Sequence, residues 1–260
     1  MMDVLLLRFD APLMSFGGVR VDHHNRTDAF PYRAMLAGLL ANALGYERRD
    51  AHAHEALQER LRYAARLDRS GTTVVDYQTV DFDPDGAMAS TLAWTTRGLL
   101  EERKGGDASE GTHIRYRHYL ADAIVTVALA LEPSDASPTL GDVARALRQP
   151  ARPLFLGRKC CVPSGPILLG QTEAESLRHA LESTARVAPL RTGDLERTAA
   201  SGPLLAMWVA GHDEGVEVRA RLVARVEDRD WHNAVHVGRR FYVEGLVEPP
   251  TLDSAQRRDP

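Results

Sequence analysis

The chain has 260 residues, 44% hydrophobic and 26% charged, which is long enough to bury a sizeable core and has the composition of an ordinary globular protein. A formal net charge of −4 excludes a protein coated in positive charge, so any site for a polyanion has to be a local patch. The adjacent Cys160 and Cys161 suit neither a useful disulfide nor a zinc site, which points to buried packing roles and a reducing, cytoplasmic compartment.

Val4 to Phe9 reads as a buried strand, followed by a loop, Met14 to Val19, and a polar stretch, Asp22 to Asp28. Pro31 suits a helix start, Ala34 to Leu44 is the apolar helix and Gly45 its stop. His54 to Ala65 begins as helix and turns to strand near Tyr63, and Thr72 to Val80 is a β-branched strand. Residues 81–118 have weak periodicity and are too long for an idle loop. Ala123 to Leu131 is a central strand. Thr139 with Asp142 forms a capping box for a helix over Leu140 to Leu147, which Pro150 ends, and Ile167 to Leu169 closes the unit. The order β-α-β-β-α-β is ferredoxin-like, giving an α+β chain with a first domain over 1–170. Beyond it, a helix over 173–186 and strands at Leu204–Val209, Val216–Val226 and Arg240–Val247 predict a smaller, mainly β domain over 171–250 and a mobile tail over 251–260.

Charge is distributed unevenly. The 30 residues from Val143 to Thr172 contain no acid, yet hold Arg145, Arg148, Arg152, Arg158 and Lys159. Of the 32 basic residues only Lys104 and Lys159 are lysine, a bias that a GC-rich genome explains. Whatever its origin, arginine brings a planar fork that grips phosphate bidentately and stacks on bases. A local +5 patch in an acidic chain is a polyanion site confined to one face, and nucleic acid is the natural polyanion.

Four stretches in order resemble the CasD family, the CRISPR-associated subunits that hold the 5′ handle of guide RNA in type I-E Cascade. They are Ala11–Gly17 leading to Arg26-Thr27 and Phe30-Pro31-Tyr32-Arg33; Asp76–Val80; Tyr116–Ala123; and Leu156–Cys160 with Pro166–Gly170. The resemblance is good over roughly 3–170 and weak beyond, apart from Arg240–Val243. It implies a ferredoxin-like, RRM-type domain with an inserted β-hairpin thumb, placed at about 81–118. It also implies a non-catalytic role with no cofactor: clamping the crRNA handle, capping the backbone filament, contacting the backbone and large subunits, and reaching target DNA through the thumb.

The candidate RNA contacts follow from both readings. Ser15, Phe16 and Gly17 form a loop whose backbone N–H groups suit phosphate, with Phe16 as a stacking ring or a core residue. Arg26 and Arg33 flank a helix N-terminus, itself an anion site, although Arg33 also suits a structural ion pair. Tyr77, Arg103, Lys104, Arg115, Arg117 and His118 belong to the thumb and its flanks, among enough acids to make it nearly neutral. Gly157, Arg158 and Lys159 form the principal site, where glycine permits close backbone approach. The histidine pairs His23-His24 and His52/His54 lack the partners of a metal set. The alternative is a metal-independent endoribonuclease processing precursor crRNA. A related subtype uses a Tyr, a Lys and a His, which Tyr46, Arg117 and His118 imitate with arginine in lysine's place.

Overall fold

A computed structural model describes residues 1–18, 23–81, 92–94, 100–102, 112–188, 190, 202–210 and 220–250. The elements in chain order are β1 (Met2–Asp10), β2 (Leu13–Met14), β3 (His24–Asn25), α1 (Arg33–Leu44), α2 (Ala51–Arg60), β4 (Leu61–Arg69), β5 (Thr72–Asp81), β6 (Leu92–Trp94) and β7 (Leu100–Glu102). They continue with β8 (Thr112–Ala121), β9 (Ile124–Leu131), α3 (Leu140–Arg148), β10 (Leu168–Ala174), α4 (Leu177–Ser183), β11 (Leu204–Val209), β12 (Arg221–Arg225), β13 (Asp228–Asp230), β14 (Val235–Val237) and β15 (Arg240–Val247).

Seven strands make one sheet in the order β10-β1-β9-β4-β11-β15-β12. The first four, numbered as they occur in the β-α-β-β-α-β unit, stand 4-1-3-2. Leu5, Leu7 and Phe9 of β1 and Val125, Val127 and Leu129 of β9 point to the face covered by α1, α2 and α3. Alternation sends Val4, Ala64 and Ala128 to the opposite face, where Ala180 and Leu181 of α4 pack. Local signals set the helix ends. Gly45 closes α1 in the left-handed region at φ 86°, and Thr139 and Asp142 cap α3 reciprocally.

Two findings differ from the sequence reading. The switch from α2 to strand comes at Leu61, two residues before Tyr63. The strands expected to form a separate unit over 171–250 instead extend the N-terminal sheet. β11 pairs β4 through Ala206 and Met207, and the expected boundary at residue 170 falls inside β10. On the α4 face this sheet is stapled by Arg66, fully buried. Its guanidinium donates to Asp68 at 2.7 Å and to the carbonyls of Leu181, Thr184 and Ala185 at the end of α4. The expected mobile tail over 251–260 lies outside the described residues.

A second sheet stands apart from the first. β5 and β8 pair antiparallel from Thr72↔Ala121 to Asp81↔Thr112, while β2 and β3 add to the other edge of β8. β6 and β7, which fall between β5 and β8 in the chain, pair antiparallel with each other. The β5–β8 ladder begins at Thr72 and flanks residues 81–118, where the thumb is expected; most of that span lies outside the described residues.

Candidate functional site

Four segments distant in sequence surround a cleft of about 780 Å³: the Ser15–Gly18 loop, the start of α1, the 152–159 loop and the β13–β14 hairpin. The fold has specific reasons for each wall. The hairpin is fixed by Gln58 of α2, whose amide nitrogen donates to the Arg229 carbonyl at 3.0 Å. The amide oxygen of Gln58 accepts from Arg229 N–H at 3.0 Å and from Trp231 Nε1 at 3.2 Å. The Trp231 ring lies against α1 where Gly38 has no side chain; a Cβ there would sit 3.2 Å from the indole. Arg229 and His236 complete this wall, and Arg229 lies 5.5 Å from the Trp231 ring centroid.

The acid-free window supplies the opposite wall, but most of its cations are engaged by the protein. Arg145 pairs with Asp142 at 3.2 Å. Arg152 donates to the carbonyls of Tyr46 and Gly45 at 2.8 and 3.2 Å, satisfying the C-terminal end of α1. Arg158 donates to the carbonyls of His118 and Asn25 at 3.1 and 2.9 Å, with its guanidinium 4.6 Å from the Tyr119 ring. Among the described residues, Arg148 and Lys159 are exposed with no such engagement, and Lys159 lines the cleft.

Gly157 permits a close approach, but to the protein's own backbone. At φ 102°, a Cβ on it would fall 1.7 Å from the Ser15 carbonyl oxygen. Ser15 N–H in turn donates to the Leu156 carbonyl at 3.2 Å and Ser15 Oγ to that of His118. The two loops of the sequence reading are thus interlocked, and Arg158 ties them to β3 and β8. Gly17, at φ 81°, has open space around it and lines the cleft.

Two candidates are corrected by burial. Phe16 is 3% exposed, its ring 6.0 Å from that of Phe9 in the core, so it is not an open stacking surface. Arg33 is buried and pairs with Asp228 at 2.9 Å; among apolar helix residues a guanidinium folds inward only with a carboxylate to meet it. The helix start is also occupied. Glu227, fully buried, accepts from Arg33 N–H at 2.5 Å while its carbonyl accepts from Ala34 N–H at 3.0 Å. Burial raises the Glu227 carboxyl's pKa, and Arg225, 3.0 Å away, opposes that shift.

The hairpin residues divide by face. In the β5–β8 ladder Tyr77 stands opposite Tyr116 and Val75 opposite His118, all on one face. Arg115 and Arg117 alternate to the other, where Asp76 stands opposite Arg117. On the first face the His24 and Tyr116 rings stack at 4.6 Å with an 8° interplanar angle; His23 lies 4.7 Å from His24, and Tyr77 meets Tyr116 edge-on at 5.4 Å. Tyr77 is 56% exposed and Arg26 is exposed beside β3. His118 has a lowered pKa, through burial first and then the charges of His24, Arg26 and Arg158. Arg103 and Lys104 lie outside the described residues.

Sequence reading missed Arg229, Trp231 and His236, because a polar stretch between strands carries no pattern linking it to the first helix. It also missed His24 and Tyr116. Here a signal existed: Ile114-Arg115-Tyr116-Arg117-His118 alternates with period two, which separates the rings from the arginines. The set Tyr46, Arg117 and His118 is divided. Tyr46 packs near His54, with its carbonyl bound by Arg152, while Arg117 and His118 are on β8 and point to opposite faces. Among the described residues no group of three or more His, Cys, Asp or Glu is placed to hold a metal, and no helix is long and apolar enough to cross a membrane.

A β-α-β-β-α-β sheet with a second sheet built on the β5–β8 ladder, and a cleft lined by Arg152, Arg158, Lys159 and Arg229, defines a class that comparison makes specific. The chain belongs to the CRISPR-associated protein (Cas_Cas5) family, which matches residues 4–243. It is 31% identical over 189 residues to the CRISPR system Cascade subunit CasD of Escherichia coli strain K12, covering 70% of this chain and 76% of that protein. Among solved structures, a chain of a CRISPR RNA-guided surveillance complex aligns with a TM-score of 0.64 at 25% identity, over 95% of this chain and 91% of the other. A crystal structure of a Cas protein aligns at 0.57 and 27% identity, covering 94% and 95%.

Proposed function

We propose that this chain is a non-catalytic subunit of a type I-E CRISPR interference complex, acting in the cytoplasm in antiviral defence. It grips the 5′ handle of crRNA between the 152–159 loop and the hairpin base, caps the backbone filament and contacts the large subunit. On this reading the β10-β1-β9-β4 unit is a ferredoxin-like domain of RRM type, and the β5–β8 hairpin is the root of its thumb, which reaches the target DNA. The kinship with a Cascade subunit supports the assembly. The observation that carries the RNA reading is the role of Arg158 as a junction. It joins the cleft, β3 and β8 into one surface on which Arg26 and Lys159 are exposed, and Lys159 has no engagement among the described residues.

Phosphate contacts make such binding steeply salt-dependent. The test is copurification of the chain with its complex, sequencing of the bound RNA's 5′ end, and titration against salt. A defined 5′ end and a slope of log affinity against log salt reduced by about 1 in Lys159→Ala are expected. Absence of RNA from the purified complex, or an unchanged slope, overturns the assignment.

A further inference from the structure

The ring ladder at the hairpin base is unusual in how it ends. Cross-strand aromatic pairs ordinarily stabilise a sheet by covering one another. His24 and Tyr116 do this across β3 and β8, stacked at 4.6 Å, and His23, the chain neighbour of His24, lies against that ring at 4.7 Å. Tyr77 then meets Tyr116 edge-on at 60°, which leaves its own ring 56% exposed. The stack stops at an open aromatic surface. Val75 and Ile114, its same-face neighbours on the ladder, are 49% and 40% exposed, so the surroundings are apolar and wet.

The charges that act on His118 among the described residues are of one sign. Arg26 is exposed at the end of β3, and its charge with those of His24 and Arg158 acts on His118. His118 Nε2 is shut off from solvent with no hydrogen-bond partner among the described residues. Asp76, the nearest acid in the ladder, points to the other face toward Arg117. An open ring on the face where, among the described residues, Arg26 is exposed suits a ligand that is aromatic and anionic together.

We propose that the open Tyr77 ring, backed by Tyr116, His24 and His23, is the seat of one unpaired base of single-stranded RNA, with Arg26 serving the adjoining phosphate. This rests on the RNA-binding reading above and adds a stacking subsite to it, distinct from the cleft.

The experiment uses the full-length chain and an unstructured RNA of about ten nucleotides, within the usual span of single-strand sites, carrying one 2-aminopurine or one abasic position. Tyr77→Ala should weaken binding about ten-fold, the scale of one lost base–aromatic stack, while Tyr77→Trp restores it. The salt slope should be unchanged in Tyr77→Ala, since no charge is lost, and the 2-aminopurine should be less quenched. Abasic RNA should bind wild type and Tyr77→Ala alike. If Tyr77→Ala binds as tightly as wild type while Lys159→Ala lowers the salt slope, the RNA reading stands and the stacking seat is overturned. If Tyr77→Ala changes only association with other subunits, the face belongs to a protein partner and the proposal is again overturned. If wild type fails to bind any of these RNAs, both readings fall together.

Discussion

In the 152–161 loop the guanidinium groups of Arg152 and Arg158 are engaged by the protein, each donating to two backbone carbonyls, whereas at the hairpin base Arg26 and Tyr77 face water. Both regions read from sequence as RNA contacts. The difference lies in what surrounds them. The loop is built from turns whose carbonyls have no ladder partners, and an arginine fork is the side chain best able to satisfy two at once. The hairpin arms pair fully with each other, so their side chains are released to alternate between two open faces. A cation in an irregular loop is thus drawn into the architecture, and a side chain on a regular ladder is left available. Charge density in sequence marks the first kind of place more strongly than the second.

The largest expected effect tests how tightly the loop is built. Gly157 and Gly17 both have positive φ, at 102° and 81°. Only at Gly157 would a Cβ collide with backbone, the Ser15 carbonyl at 1.7 Å; around Gly17 there is nothing within 4 Å. Gly157→Ala combines strain with a clash that no rotamer relieves and should cost about 3 kcal/mol of stability or more, against about 1 kcal/mol for Gly17→Ala. Urea denaturation midpoints measure both. Equal losses would mean that the two loops are not interlocked.

Arg158→Lys is a smaller perturbation that separates charge from geometry. Lysine keeps the positive charge but cannot reproduce the fork to the His118 and Asn25 carbonyls. A stability loss of about 1–2 kcal/mol is expected, from two weakened hydrogen bonds. The salt slope of RNA binding should be unchanged, because the guanidinium is engaged within the protein. An unchanged stability with weakened RNA binding would place the fork on phosphate rather than on the two carbonyls and erase the contrast between the two regions.

The contrast also explains what the sequence discloses. The β1, α1, β9 and α3 elements are legible because burial on known faces imposes periodicity, and caps such as Gly45 and Thr139–Asp142 are local. The extension of the sheet through β11 is not. It rests on two register pairs, Ala206↔Arg66 and Met207↔Ala65, about which the intervening sequence says nothing. A structural ion pair for Arg33 is legible as an alternative, but its partner is not, since Asp228 is 195 positions away. The cleft is partly legible, since the glycine loop and the Gly157–Lys159 loop were both marked. That they clasp each other, and that Trp231 closes the far wall, depends on tertiary contacts alone.

The smallest effect expected is a pH dependence of opposite sign in the free and bound states. His118 is held below its ordinary value of 6.5, by burial first and then by the positive charges of His24, Arg26 and Arg158. The unfolded chain therefore takes up this proton more readily than the folded one. Stability is intact above pH 6.5 and falls as pH drops from there through the folded pKa. RNA phosphate at the same face favours the imidazolium and raises that pKa, so RNA affinity should increase over the same pH interval in which the free protein weakens. Binding measured at pH 7.5 and pH 6.0 should show tighter association at the lower value, with much of the difference removed in His118→Gln. A pH-independent affinity in the wild type would place the phosphates away from the hairpin base and confine RNA to the cleft.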